Sequence, residues 1–160
     1  MRMVIGRRPK RTLIRLIILI VGSVVIFKFV LAPVRITGIS MEPTYRDGRI
    51  NFVNRLAYAW SKPKRGDVVA IKTTGMHIMY MKRIVGLPGE TISIKKGIVL
   101  VNSQPLNEPY VVVKREPWNE PSVRLGPDEY LVIGDNRATD RITHEHGTVS
   151  ARKIAGKILW

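Results

Sequence analysis

The chain has 160 residues, and its 27 lysines and arginines against 12 acidic residues give a formal net charge of +15. Such a charge attracts nucleic acid or anionic lipid headgroups, but the basic residues are scattered among predicted strands instead of forming a stripe with aromatics, which argues against a nucleic-acid-binding module. The chain has no cysteine, so disulfides give no evidence about its compartment.

The first predicted element is an apolar stretch from Leu13 to Val34. It is long enough for a membrane-spanning helix, which needs roughly 20 residues. Its charged residues, Arg15 and Lys28, lie near its ends, where long side chains reach the headgroups. A cleaved secretory signal is the main alternative, but the stretch exceeds a typical signal core and no clean small-x-small site follows it. We therefore predict a retained membrane anchor over residues 13–34.

The distribution of charge predicts the orientation of this anchor. Five basic residues precede it and no acidic residue occurs before Glu42, and positive charge stays on the cytoplasmic side. We expect a basic cytoplasmic segment over residues 1–12, a single span of the inner or plasma membrane, and one extracytoplasmic domain over residues 35–160. Seven of the 27 basic residues lie before residue 35, and the 20 that remain suit contact with phospholipid headgroups.

The exterior part is predicted to be mainly β. Short runs rich in Val, Ile and Tyr alternate with turn signals such as Arg46-Asp47-Gly48 and Leu87-Pro88-Gly89. This alternation predicts a closed or folded-over antiparallel sheet. The predicted strands are Arg49–Val53, Asp67–Ile71, Ile78–Val85, Thr91–Ile94, Ile98–Val101, Tyr110–Val113 and Tyr130–Ile133.

Two further segments are predicted to lie outside the strands. Asn54–Trp60 is interpreted as a short helix or an interfacial loop, and its Leu56, Tyr58 and Trp60 either reach the headgroup layer or pack in the core. Lys114–Arg124, which contains two prolines and a tryptophan, is predicted to be an irregular loop.

A catalytic serine needs a base close to it, because a serine hydroxyl is a poor nucleophile until its proton is removed. The chain has three histidines, His77, His144 and His146, and none is a good candidate. Two lie in a polar segment with surface character, and the third faces away from Lys82 on an ideal strand. His144 and His146 lack further convincing ligands, so no metal site is predicted.

Lysine can take the place of histidine if its amine is neutral near the working pH. Its ordinary pKa of about 10.4 falls by several units when the side chain is buried in an apolar site. Lys82 shares a predicted strand face with Tyr80 and Ile84, and Arg83 points the other way. Taken alone, this context favours a solvated lysine, one of the 27 basic residues of the chain.

Ser40 taken alone reads as a turn residue. Gly38 and Pro43 hold the backbone around it in a tight path, and a glycine at position 38 lets a substrate backbone approach closely. The function therefore depends on both segments together with the rest of the chain.

Four segments, in this order and behind an anchor, resemble those of bacterial type I signal peptidases of the compact, single-anchor kind. The resemblance runs from the anchor to the C-terminus. The matching segments are Gly38-Ile39-Ser40-Met41-Glu42-Pro43-Thr44, Arg65-Gly66-Asp67-Val68-Val69, Tyr80-Met81-Lys82-Arg83-Ile84-Val85-Gly86-Leu87-Pro88-Gly89-Glu90 and Gly134-Asp135-Asn136-Arg137.

The resemblance implies a serine–lysine dyad. Ser40 would attack the peptide carbonyl, Lys82 would be general base and then acid, and the Ser40 N–H would help hold the oxyanion. A serine that some members carry two residues before the nucleophile is Gly38 here. The strands Val34–Ile39 and Ile78–Met81 would bind an extended substrate. The residues implied to bind substrate or support the dyad are Gly38, Ile39, Met41, Pro43, Tyr80, Arg83, Asp135, Asn136 and Arg137.

The implied activity is that of a membrane-anchored serine endopeptidase that removes signal peptides from secretory preproteins without a metal or cofactor. Its partners would be preproteins with small residues at the first and third positions before the cut, and membrane phospholipid, but not nucleic acid. Three alternatives stay open: a peptidase dedicated to a pilin or one secreted protein, a soluble self-cleaving repressor, which the anchor disfavours, and a silent homologue that binds signal peptides or lipid.

The last motif departs from the family pattern over residues 138–146. Asp140 stands where the family has a serine near the lysine, and Ile142 and His144 replace an Asp and an Arg. A carboxylate beside Lys82 would favour the ammonium form. We therefore expect either that Asp140 turns away or that Thr139 supplies the missing hydroxyl.

Overall fold

Most of the predicted anchor lies in one continuous helix. The computed structural model describes residues 9–72, 79–113, 118–138 and 147–159. An α-helix, α1, covers Pro9–Val25 and passes directly into a π-helix over Ile26–Val30. The 22 residues of Pro9–Val30 are apolar and long enough to cross a membrane, since a helix of this length spans roughly 33 Å and the hydrocarbon core is about 30 Å thick. The predicted span is thus helical only as far as Val30.

Antiparallel β-structure makes up most of the remainder, which confirms the predicted fold class. The described residues form eleven strands: β1 (Leu31–Arg35), β2 (Ile50–Asn54), β3 (Val68–Lys72), β4 (Met79–Gly86), β5 (Thr91–Lys95), β6 (Ile98–Val101), β7 (Gln104–Pro105), β8 (Glu120–Arg124), β9 (Glu129–Ile133), β10 (Gly147–Ser150) and β11 (Ile154–Leu159).

The strands form two sheets. The larger has the order β1-β2-β11-β3-β4-β9-β10 and the smaller the order β7-β6-β5-β8. β3 is buried over its first four residues, because the strand lies at the centre of the larger sheet and is covered on both faces. One apolar cluster lies around Met41, Tyr45 and Val53, a second around Val69, Ile84 and Val132, and a third lies between the two sheets.

Six of the seven predicted strands are confirmed, with ends shifted by at most one residue. The prediction of a strand at Tyr110–Val113 is wrong, because the segment is a loop. The Tyr110 phenol donates to Glu108, and the Val113 carbonyl accepts a hydrogen bond from the Arg137 N–H. The predicted loop at Lys114–Arg124 is wrong over its last five residues, which form β8. Asn54–Trp60 is a series of turns after β2.

Strands β7, β10 and β11 were not expected from the sequence, and β1 was expected only at Val34 and Arg35, as the start of the strand Val34–Ile39. The last four residues of the predicted anchor belong to β1, where Leu31 pairs with Asn54 and Val34 with Asn51. β11 lies between β2 and β3. Its Gly156 packs so closely against the Asn54 carbonyl that a Cβ there would overlap it, and a glycine in this position weakens the sequence signal for a strand.

Candidate active site

Ser40 lies in the connection between β1 and β2. The Ile36 N–H donates to the Arg49 carbonyl at 2.8 Å, and the Gly38 N–H donates to Asp47 Oδ1 at 2.8 Å, so the two ends of this connection are tied together. Gly38 has a φ of +101°, a conformation that side chains disfavour. The predicted strand Val34–Ile39 is therefore wrong beyond Arg35, because the chain turns at Gly38 to present Ser40.

The last motif holds the backbone of Ser40 in place. The Asn136 N–H donates to the Ser40 carbonyl at 3.0 Å, and the Asn136 side-chain amide donates to the Ile39 carbonyl at 3.1 Å. A Cβ on Gly134 would overlap the same Ser40 carbonyl oxygen. Residues from two distant motifs therefore meet at the candidate nucleophile.

Lys82 is on β4 in the middle of the larger sheet, and only 3% of the residue is exposed. It pairs with Val69 on β3, and Arg83 pairs with Ile133 on β9. Continuing this register by one residue puts Gly134 opposite Lys82, and directly opposed residues in antiparallel strands project to the same face. Because Gly134 also contacts Ser40, Ser40 lies at the end of β9, next to the part of β4 that carries Lys82.

Ser40 also lines a cleft of about 180 Å³ beside these residues. One wall is the chain from Val34 to Gly38, and the other is the start of β4, where Tyr80 and Met81 immediately precede Lys82. These are the two segments that the sequence predicts to bind substrate. Among the described residues, the lining consists of Val34, Arg35, Ile36, Thr37, Gly38, Ser40, Met41, Ala70, Met79, Tyr80, Met81 and Ile158.

A buried ion pair supports the floor of the site. Arg83 donates to Asp135 through Nε at 2.8 Å and Nη2 at 2.6 Å, and its Nη1 donates to the Gly66 carbonyl at 2.7 Å. Thr44 Oγ1 donates to Asp135 Oδ2 at 2.6 Å. Asp135 is fully buried, and these donors satisfy both of its oxygens. The ion pair thus links the loop of Ser40 to strands β4 and β9.

A second buried ion pair extends this support. Arg137 Nε donates to the Gly134 carbonyl at 3.1 Å, and its guanidinium forms an ion pair with Glu108. The Tyr110 phenol donates to the same carboxylate at 2.8 Å, and the Tyr110 ring lies 4.1 Å from the Arg83 guanidinium carbon. The loop that was predicted as a strand therefore connects the two ion pairs.

The structure divides the predicted supporting residues into three groups. Gly38, Met41 and Tyr80 line the cleft, whereas Arg83, Asp135, Asn136 and Arg137 are buried and position other groups. Ile39 contributes its carbonyl, and Pro43 is exposed in the turn outside the cleft. The sequence left open whether Asp140 turns away from Lys82 or Thr139 supplies a hydroxyl, and both residues lie outside the described ranges. The other residues of interest outside these ranges are His77, Arg141, Ile142, His144 and His146.

Sequence reasoning missed four residues of this site. Thr44 and Gly134 lie inside the quoted motifs, so the motifs were the signal that could have identified them. Glu108 and Tyr110 contact arginines that are distant in sequence, and nothing in their own neighbourhood indicates those contacts. Within the described ranges, no group of three or more histidine, aspartate or glutamate residues is arranged to hold a metal ion.

Comparisons with known proteins match most of the chain. The family described as signal peptidase, peptidase S26, matches residues 10–160. A signal peptidase I from Bacillus amyloliquefaciens is 34% identical over 151 residues, which cover 88% of this chain and 80% of the relative. One from Bacillus licheniformis is 31% identical, with coverage of 88% and 81%. A crystal structure of a signal peptidase I from Enterococcus faecalis aligns with a TM-score of 0.49 at 24% identity, covering 61% of this chain and 97% of that one.

Proposed function

The chain belongs to the signal peptidases of peptidase family S26, and we propose that Ser40 and Lys82 are the catalytic dyad of this membrane-anchored serine endopeptidase, which removes signal peptides from secretory preproteins. The observation that carries the proposal is the position of Gly134, which contacts Ser40 and continues the register opposite Lys82. The cleft beside Ser40, whose wall includes Tyr80 and Met81, provides the adjoining space for a substrate.

The burial of Lys82 supports its role as the base. Only 3% of Lys82 is exposed, and burial of a lysine side chain penalises its charged ammonium form. In the first step Lys82 accepts the proton of the Ser40 hydroxyl as its oxygen attacks the scissile carbonyl. Lys82 then donates this proton to the leaving amine. In the second step Lys82 takes a proton from the water that attacks the acyl-enzyme, and returns it to the Ser40 oxygen as the ester bond breaks.

The substrate would bind in extended form between Val34–Gly38 and the start of β4. The cleft has a volume of about 180 Å³, and Met81, Ala70 and Ile158 give it an apolar wall. This wall supports the binding of small apolar side chains such as alanine before the cut, since apolar lining favours apolar groups.

We further propose that the N-terminus is cytoplasmic and that residues 35–160 form an extracytoplasmic domain in contact with phospholipid. Trp60 is 89% exposed and Leu56 is 40% exposed, on turns that begin beside the end of the anchor helix. Tyr58, between them, instead packs in the core and donates to Asp67 at 3.0 Å. Amphipathic aromatics such as Trp60 collect at the headgroup layer, which supports contact with lipid there.

The dyad is tested with the lipid-reconstituted protein and a precursor that carries an Ala-x-Ala cleavage site, with products followed by mass. We expect Ser40→Ala and Lys82→Ala each to lower kcat on the order of 10³-fold or more, with unchanged circular dichroism. The matched controls are Ser122→Ala and Lys95→Ala, which remove exposed side chains of the same types on the smaller sheet. Cleavage by either dyad variant at the rate of its control would refute the assignment.

A further inference from the structure

The anchor helix is fastened to the peptidase domain by Arg55. The last carbonyls of a helix have no partner within the helix, and two of them here accept hydrogen bonds from this one residue. Arg55 Nη1 donates to the Lys28 carbonyl at 2.9 Å, and the Arg55 N–H donates to the Val30 carbonyl at 2.9 Å. Near the hydrocarbon boundary such carbonyls are costly to leave unsatisfied, so Arg55 stabilises this end of the helix in one position.

Arg55 is itself held by the sheet. It directly follows Asn54, the last residue of β2, which pairs with Leu31 on one side and with Lys157 on the other. The rings of Phe27 and Phe52 add a contact between helix and strand, with centroids 6.3 Å apart. The helix ends at Val30 and β1 begins at Leu31, so the anchor joins the sheet without an intervening linker.

This junction would set the height of the cleft above a membrane that the helix spans. The wall of the cleft begins at Val34, four residues beyond the end of the helix, which is about 13 Å of extended chain. A signal peptide that spans the same membrane must bridge the same height between its own apolar segment and the scissile bond. Each residue of extended substrate changes that reach by about 3.3 Å.

We propose that Arg55 is a positioning residue that holds the cleft at one height above the bilayer and thereby selects which peptide bond is cut. The inference rests on the proposed function of the Ser40 and Lys82 site. Without the guanidinium, the Lys28 carbonyl loses its donor and the helix end can shift relative to β1. The cleft then reaches neighbouring bonds that the wild-type junction excludes, while the chemistry at Ser40 is unchanged.

The test uses the full chain in vesicles of phosphatidylethanolamine and phosphatidylglycerol, with two substrates. One is a membrane-spanning precursor with two Ala-x-Ala sites staggered by two residues, and the other is a short soluble peptide with one site. We expect wild type to cut the precursor mainly at one site, and Arg55→Ala to raise the share of the other site about fivefold, the effect of one hydrogen bond. Cleavage of the soluble peptide should stay within about twofold of wild type, since it needs no defined height.

The matched control is Arg124→Ala, which removes the same side chain from an exposed position on β8 in the smaller sheet. It should cut the precursor as wild type does. The proposal would be overturned if Arg55→Ala and Arg124→Ala gave the same distribution of products. It would also be overturned if Arg55→Ala lowered the cleavage rate of both substrates equally, because Arg55 would then act on the fold in general. A wrong dyad is distinguishable, because the soluble peptide would then be cut equally well by Ser40→Ala.

Discussion

Gly134 and Ser40 approach each other so closely that position 134 has no space for a side chain. A Cβ there would overlap the carbonyl oxygen of Ser40 and stand 3.4 Å from the Ser40 Cβ. The contact lies where β9 ends beside β4, and the Asn136 N–H binds the same carbonyl from the next turn. The absence of a side chain at Gly134 therefore sets how near Ser40 lies to the strand of Lys82.

Replacing Gly134 should accordingly damage catalysis. We expect Gly134→Ala to push the backbone of Ser40 away and lower kcat about a hundredfold, since a displacement near 1 Å costs this much in a positioned active site. Gly147→Ala is the control, because a Cβ at Gly147 meets nothing within 4 Å. The measurement is kcat on a short peptide, together with a melting curve. Activity within about twofold of the control would contradict the argument.

The sequence predicted this site better through its motifs than through its local patterns. Ser40 and Lys82 each looked ordinary in isolation, and only four motifs in the family's order singled them out. Short runs rich in Val, Ile and Tyr between turn signals identified six strands, because these residue types favour the pleated and partly buried positions of a sheet. These runs did not identify β11, in which Gly156 and Lys157 interrupt the apolar residues, or the first residues of β1, which continue the apolar run of the predicted anchor.

Contacts between distant segments were beyond the reach of these patterns. The sequence indicated that Asp135 and Arg137 belong to a motif, but not that Asp135 binds Arg83 or that Arg137 binds Glu108. Such partners are chosen by the topology of the sheets, which brings β4 beside β9. The β-propensity of Tyr110–Val113 was likewise overridden, because Tyr110 contacts Glu108 and Arg83 instead of a neighbouring strand.

Thr44 should matter more for stability than its place in a turn indicates. Its hydroxyl donates to the buried carboxylate of Asp135 at 2.6 Å, and hydrogen bonds to charged groups contribute about 1.5–3 kcal/mol. We expect Thr44→Val, which keeps the shape of the side chain, to lower the free energy of unfolding by about 2 kcal/mol. Urea denaturation in detergent measures this change. An unchanged midpoint would show that the Arg83 contacts alone satisfy Asp135.

Asp67 should make the stability of the domain depend on acid pH. Burial alone would raise the pKa of Asp67, but hydrogen bonds from Lys157, the Lys64 N–H and Tyr58 hold that pKa below its ordinary value. Burial raises the pKa of Tyr58, so its phenol stays protonated and donates. A carboxyl whose pKa is lower in the folded state stabilises the fold above its unfolded pKa, about 3.9, and this stability is lost as the pH falls through the folded pKa.

Asp67→Asn should therefore lower the melting temperature at pH 7 and lose this difference from wild type as the pH falls below about 4. Melting curves followed by circular dichroism between pH 7 and pH 2 measure the difference. Asp128→Asn is the control, because it removes an exposed carboxylate in the turn before β9. A difference for Asp67→Asn that stays constant over this range would contradict the role of its ionised carboxylate.

The size of the cleft leads to a prediction about substrate preference. Met81 lines the cleft next to Lys82 and packs against the cluster around Met41 and Val53. Met81→Ala should enlarge the cleft, so that precursors with Val or Leu at the first position before the cut gain kcat/KM relative to those with Ala. A change of about tenfold in that ratio is expected, since one methylene in an apolar pocket is worth roughly 10- to 200-fold.

Met81→Leu separates this effect from loss of packing, because it keeps the volume of the side chain and usually costs less than about 1.5 kcal/mol. It should retain the preference for Ala. Both variants are compared by competition between an Ala precursor and a Val precursor in one reaction, so that the ratio of products is independent of the amount of folded enzyme. If Met81→Ala and Met81→Leu give the same ratio, the wall at Met81 does not limit the side chain before the cut, and the limit lies on the opposite wall, at Val34–Gly38.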